Sequence, residues 1–249
     1  MAKLKAVVLA AGKGTRIDTG EGDVPKVMRK ACGKPLLWYV LNELSFIDKK
    51  DIILVVGYKK EEVIKCFNEY EYSVQTEQLG TGHAVMAAKN KLTGYDGALL
   101  VCYGDMPAIP GEVYKDLYQT HIKDSNDCTL LSGESSMQMS FGRVLRDENG
   151  MFSHVVEEKD CTAQQLNITE LNTGVYIFNT PMLISVLSEL KNDNSQREYY
   201  LTDVPLLMKE KAAKIGILKC DLGDNMIGVN TLAELEMVER ILSNRQSII

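Results

Sequence analysis

Leu4-Lys5-Ala6-Val7-Val8-Leu9-Ala10-Ala11-Gly12-Lys13-Gly14-Thr15-Arg16, at the start of the chain, decides the fold class. Apart from Lys5, positions 4–10 are continuously apolar, as a central parallel strand buried on both faces must be. Small residues then replace large ones just where such a strand would end. Working outward, apolar runs at 52–56, 72–75, 98–102 and 128–131 alternate with helical patterns over 36–46, 60–69, 82–91 and 111–121. Pro35 suits the first turn of the first of these helices. This alternation predicts an α/β protein with a twisted, mainly parallel sheet, helices on both faces, and ligands at the carboxyl ends of the strands.

The second half changes rhythm. Runs at 142–146 and 152–157 flank Asp147-Glu148-Asn149-Gly150 and read as a hairpin with an Asn-Gly turn. A strand is expected over 171–178, helices near 182–190 and 201–211, and a late strand over 215–220. Thr231 is placed to cap a last helix whose Leu232, Leu235, Val238 and Leu242 share a face. The expectation is one domain of 249 residues with a β-rich lobe: a first half over 1–133, a second over 134–230, and a closing helix over 231–249.

Composition narrows the class. A net charge of −6 argues against a general nucleic-acid binder, and 45% hydrophobic residues are ordinary for a globular chain. Six scattered cysteines without a C-x-x-C pair argue for reduced thiols and against a thiolate metal site. No stretch has the length of a membrane span, and the apolar start is followed at once by glycines and charges, so a cytoplasmic protein without a leader is expected. The sequence is silent on oligomeric state.

The glycine-rich loop resists the common phosphate motifs. Ile17 stands where G-x-G-x-x-G needs its last glycine, and Gly33-Lys34 is followed by Pro35 rather than Ser or Thr. Small residues at 10, 11, 12 and 14 let backbone N–H groups approach phosphate oxygens, and Arg16 and Lys26 can offset developing negative charge. Gly12 and Gly14 alone fit a simple tight turn equally well.

Three strings together, Leu9 to Arg16, Pro25-Lys26-Val27 and Gly33-Lys34-Pro35-Leu36, resemble the signature of sugar-1-phosphate nucleotidyltransferases. The resemblance implies a Rossmann-like, GT-A-like three-layer fold with a mostly parallel mixed sheet and a small β-rich sugar lobe. It implies catalytic phosphate contacts from Arg16 and Lys26, and substrate contacts from Leu9, Ala10, Ala11, Gly12 and Gly14. The acidic stretch Asp18 to Asp23 is longer than that family usually has; a solvated loop extension is expected.

Gln75-Thr76-Glu77-Gln78-Leu79-Gly80-Thr81-Gly82-His83-Ala84 resembles the uridyltransferases that make UDP-N-acetylglucosamine. A glutamine amide, donor and acceptor at once, suits the imide edge of uracil. The resemblance implies uracil contacts from Gln75, Gly80 and Thr81, and a substrate contact from Gln78; for His83, at a helix start, a structural role is expected rather than a catalytic one. In Tyr103-Gly104-Asp105-Met106-Pro107 a carboxylate follows a buried strand, as a Mg²⁺ ligand or merely as a turn-former. The resemblance implies that Asp105 binds Mg²⁺ together with Asn230, which fits a helix cap as well, and that Tyr103 and Gly104 touch substrate. It also implies sugar contacts from Gly142, Glu157 and Asn172.

The string Glu198-Tyr199-Tyr200-Leu201-Thr202-Asp203 is typical of the same enzymes and is expected to serve core packing and helix capping. Those enzymes often continue into a β-helix acetyltransferase; the hexapeptide repeats are absent from this sequence, so that activity is not expected. The expected reaction joins UTP and N-acetylglucosamine 1-phosphate with Mg²⁺ as cofactor, without nucleic-acid or membrane partners. The alternatives are another sugar 1-phosphate with UTP, dTTP or CTP, and a sugar-nucleotide-binding module without turnover. A cytidylyltransferase of isoprenoid synthesis would share the glycine loop, but the strings at 75–84 and 170–175 fit it poorly.

Overall fold

Strand β1 (Leu4–Ala10) sends Ala6, Val8 and Ala10 into one hydrophobic core and Val7 and Leu9 into another, which is why its sequence cannot alternate with polar residues. The computed structural model describes residues 3–14, 23–134 and 140–246. A short antiparallel ribbon comes after the glycine loop, β2 (Lys30–Ala31) with β3 (Lys34–Pro35), then α1 (Leu36–Glu43). Next come β4 (Ile52–Val56), α2 (Lys60–Cys66), β5 (Glu71–Val74), α3 (Thr81–Ala87), α4 (Lys89–Leu92), β6 (Ala98–Tyr103), α5 (Gly111–Lys123) and β7 (Cys128–Glu134). The second half contains β8 (Gly142–Arg146), β9 (Phe152–Val156), β10 (Glu170–Asn179), α6 (Thr180–Val186), α7 (Val204–Glu210), β11 (Ile215–Cys220) and α8 (Leu232–Gln246).

The main path of the sheet runs β11-β7-β10-β6-β1-β4-β5, with the β8–β9 hairpin branching from β10. Pairs β1–β4, β1–β6, β4–β5 and β7–β11 are parallel, whereas β10 lies antiparallel between β6 and β7. The expected mostly parallel mixed sheet is therefore present. Because β10 runs against its neighbours, its beginning lies at the same edge as the carboxyl ends of β1, β4 and β6. That edge gathers Ala10, Val56, Tyr103 and Asn172.

Several expected boundaries shift. α1 stops at Glu43, and Pro35 precedes the helix rather than occupying its first turn, with φ −56° and ψ 146°. The helix expected over 82–91 divides at Ala88 into α3 and α4. The β8–β9 loop is longer than a two-residue Asn-Gly turn. Gly150 alone adopts a positive φ, +76°, while the Asp147 carboxylate accepts from the N–H groups of Asn149 and Met151. Thr231 caps α8 by accepting from Glu234 N–H at 3.3 Å. Leu235, Val238 and Leu242 are buried against α1 and the β2–β3 ribbon, but Leu232, at the helix start, is 47% exposed.

All six cysteines are free. Among the described residues no helix is long and apolar enough to cross a membrane.

One ion pair clasps the β8–β9 hairpin to the sheet. Arg146 donates through Nε and Nη2 to the two carboxylate oxygens of Glu170, each at 2.7 Å, and Ser132 Oγ donates to the same group at 2.7 Å. Burial alone would raise the Glu170 pKa, but these bonds hold it below the ordinary carboxylate range. A depressed carboxylate stabilises the fold at pH values above its unfolded pKa and loses that contribution as pH falls through its folded value. Glu170→Gln should therefore lower the unfolding free energy at neutral pH by about 1–2 kcal/mol. The gap from wild type, measured by denaturant titration, should close as the medium becomes acidic; a gap independent of pH would contradict this assignment.

Candidate active site

Three distant parts of the chain converge at the carboxyl edge. Asp105 lies just beyond β6, whose apolar residues are buried in both cores. Lys26 opens a 3₁₀ turn held down by buried Val27, and its own N–H bonds Gly12 C=O at 3.3 Å. Asn230 arrives because Val229, fully buried, donates its N–H to Asp105 C=O at 3.0 Å. The Asn230 amide nitrogen donates to Gly228 C=O at 3.0 Å, which turns Oδ1 towards Lys26. Lys26 Nζ then donates to Asp105 Oδ2 and, at 2.7 Å, to Asn230 Oδ1. Two hard oxygens thus already surround a cationic centre, with most of both charged side chains shielded from solvent.

Two cavities meet at this point. The first, about 250 Å³, is bordered by Leu9, Ala11, Gly12, Lys26, Gln75, Gln78, Gly80, Thr81, Tyr103 and Asp105. Gln75 is buried at the end of β5, and its Nε2 donates to Gly80 C=O and to His83 Nδ1, both at 3.1 Å. That geometry requires the His83 tautomer protonated at Nε2 and gives the histidine an orienting role. Gly80 has φ +106°, and a Cβ there would lie 2.6 Å from Tyr199 C=O. The crowding is mutual: Tyr199 N–H bonds Leu79 C=O at 2.8 Å, Gly82 N–H bonds Tyr199 C=O at 2.7 Å, and Leu201 N–H bonds Thr81 Oγ1 at 3.0 Å.

The second cavity, about 220 Å³, is bordered by Gly142, Glu157, Asn172, Asn230 and again Lys26, Thr81, Tyr103 and Asp105. Gly142 of β8 pairs with Asn172 of β10, so the hairpin presents its root to the cavity. Asn172 is buried, donates Nδ2 to Tyr176 Oη at 2.8 Å, and leaves Oδ1 buried without a partner. An orphaned buried acceptor is costly in isolation and invites a donor from a ligand. Glu157 Oε1 accepts from Thr202 Oγ1 at 2.9 Å, and burial pushes the Glu157 pKa up. Tyr103 stands between the cavities with its ring against Gly174; burial, with the Glu157 charge next, pushes its phenol pKa up.

Most residues expected at the site border one cavity or both. Ala10 does not: it is the last residue of β1 and its methyl group is in the core. Gly104 is buried against Leu37, Val27 and Leu9, and Gly14 crosses the aliphatic stem of Lys26, so neither borders the cavities. Arg16, Asp18 and the rest of segment 15–22 lie outside the described residues. The largest correction concerns 198–203. Leu201 is in the core as expected, yet Glu198 borders both cavities, and Tyr200 and Thr202 border the second. Its tertiary contact with Gly80 carries this segment to the site, and nothing in the local pattern announces it.

The shared wall depends on residue 80 being glycine. Gly80→Ala should destabilise the fold by at least about 1 kcal/mol from the backbone conformation alone, with more from the clash. It should also weaken binding to the first cavity, because Leu79 to Gly82 must withdraw from Tyr199. Thermal unfolding and nucleotide calorimetry check this; a variant equal to wild type in both would show that the wall tolerates a side chain.

The nucleotidyl transferase family model matches residues 5–223, a span that includes Lys26, Asp105 and most of both cavities. A bifunctional protein GlmU from Clostridium novyi is 43% identical over 242 residues, covering 96% of this chain and 52% of that protein. A bifunctional protein GlmU from Alkaliphilus metalliredigens is 37% identical over 244 residues, 98% of this chain and 53% of that protein. The chain thus spans about half the length of the curated relatives it matches. Among solved structures, one from Bacillus anthracis, described as a candidate glucose-1-phosphate thymidylyltransferase in complex with sucrose, superimposes with a TM-score of 0.72 at 15% identity. It covers 96% of this chain and 95% of that one, and at this identity it shows the shared fold. On the extent of the family match and the identity to these relatives, the chain belongs to the nucleotidyl transferase family.

Proposed function

We propose that the protein transfers a uridylyl group from UTP to N-acetylglucosamine 1-phosphate, giving UDP-N-acetylglucosamine and pyrophosphate, with Mg²⁺ as cofactor. The observation that carries this reading is the meeting of Lys26, Asp105 and Asn230 at the seam of two cavities. The charges support a required cation. Among the described bordering residues, Lys26 is the one basic side chain, against the carboxyl groups of Asp105, Glu157 and Glu198. Two polyanionic substrates cannot share such a site without further positive charge.

The donor set fits Mg²⁺. No group of three or more His, Cys, Asp or Glu able to hold a metal occurs among the described residues. Mg²⁺, however, commonly takes only one or two protein oxygens and completes its shell with phosphates and water. Asp105 and Asn230 would hold it, and when bound it would supply charge beside the phosphates.

In this reading residues 1–133 bind the nucleotide, 134–230 bind the sugar, and 231–249 carry the final helix. Gln75, Gly80 and Thr81 receive the uracil, with Gln78 bordering the same cavity. Glu157 and the unpartnered Asn172 Oδ1 accept from the hydroxyl and acetamido N–H groups of the sugar. A phosphate oxygen of the sugar phosphate attacks the α-phosphorus of UTP as the bond to the β-phosphate oxygen breaks. The attacking oxygen is already anionic, so no general base is needed. Lys26, and Arg16 by the family resemblance, offset charge on the departing pyrophosphate.

Pyrophosphate release from a panel of triphosphates and sugar 1-phosphates tests this. UTP with N-acetylglucosamine 1-phosphate should be the preferred pair, and chelation should stop turnover. Asp105→Ala or Lys26→Ala should each lower kcat by about 10²–10³. Preference for another pair would correct the substrate assignment; near-normal turnover in both variants would overturn the site.

A further inference from the structure

We propose that Thr202 is a positioning residue for the sugar site, its hydroxyl holding the Glu157 carboxylate as a charged acceptor for a substrate hydroxyl or N–H. The inference rests on reading the cavity around Glu157 as the sugar-phosphate site.

Glu157 is half-buried in the wall of the second cavity, and no ion pair of the described residues includes it. Thr202 Oγ1, at 2.9 Å, is the one side-chain donor it has among the described residues. The surroundings otherwise oppose its charge. Burial opposes the charge most; the Thr202 bond, next in size, favours it, and the weaker negative fields of Asp203, Asp160 and Glu198 oppose it again. Tyr103 of β6 and Tyr176 of β10 also face it with neutral phenols, while Arg143 of β8 lies near the adjoining Cys161. A donor to the ionised form favours that form, so loss of the hydroxyl should make Glu157 easier to protonate. A protonated Glu157 loses acceptor capacity and leaves a sugar donor unpaired.

Thr202 can act in this way because its own segment is fixed from both sides. The Asn194 side chain accepts from Glu198 N–H at 3.1 Å and donates to Glu198 C=O at 2.6 Å. Tyr200 Oη donates to Asp160 at 3.1 Å, next to the turn after Glu157. Tyr199 and Leu201 are bonded to the Leu79–Gly82 loop of the first cavity. Thr202 therefore holds Glu157 from a strap that also frames the nucleotide side.

Thr202→Val keeps the shape and removes the donor, Thr202→Ala removes the donor without added methyl groups, and Thr202→Ser restores it. In the valine variant KM for N-acetylglucosamine 1-phosphate should rise about tenfold while KM for UTP stays within about twofold. The acid limb of kcat/KM for the sugar phosphate should move to higher pH in the valine and alanine variants and return with serine. An unmoved acid limb in whichever of these two variants melts like wild type would overturn the inference, as would equal weakening towards both substrates. Calorimetric binding of UDP-N-acetylglucosamine across the same pH range needs no turnover. A wild type that binds but does not turn over would defeat the proposed reaction, while the pH shift of binding would still decide the role of Thr202.

Discussion

The site depends on one contact, the Lys26 ammonium between the oxygens of Asp105 and Asn230, which joins positions 79 and 204 residues apart in the chain. Each partner is delivered by a buried neighbour: Val27 beside Lys26, β6 ahead of Asp105, and Val229 beside Asn230. Hydrophobic burial thus fixes where the charges lie, although none of the charges contributes to the cores. The backbone bond from Val229 to Asp105 makes the last loop answer to the central strand.

Around that contact, the two cavities divide along the sheet edge. Parallel strands deliver the glycine loop, Gln75 and Asp105 by their carboxyl ends, while antiparallel β10 delivers Asn172 by its beginning. The mixed sheet is therefore the means by which residues from both halves of the chain reach one cleft. The strap at 198–202 then closes the space between the two groups, framing Gly80 on one side and Glu157 on the other.

Much of this is legible in the sequence. The apolar runs of β1 (from Ala6), β4 and β6 announce strands buried on both faces, and Asp105 after β6 points to a ligand edge. The insertion of β10 between β6 and β7 is not legible, because a fully buried strand reads alike in either direction. Pairing Asp105 with Asn230 needs the family resemblance, since Asn before a helix reads equally as a cap. The place of Ala10 in a glycine-rich string points to the substrate, whereas strand alternation sends it to the core. Thr202 gives no local signal, because its importance comes from a contact with Glu157, 45 residues away.

The proposed chemistry requires Asp105 and Asn230 to hold a divalent cation beside the phosphates. Anomalous diffraction from crystals grown with Mn²⁺ and UDP-N-acetylglucosamine would locate that cation. A Mn²⁺ peak should touch oxygens of Asp105, Asn230 and the diphosphate, with uracil near Gln75 and the sugar near Asn172. A bound nucleotide sugar whose diphosphate and metal lie away from Asp105 would contradict the assignment.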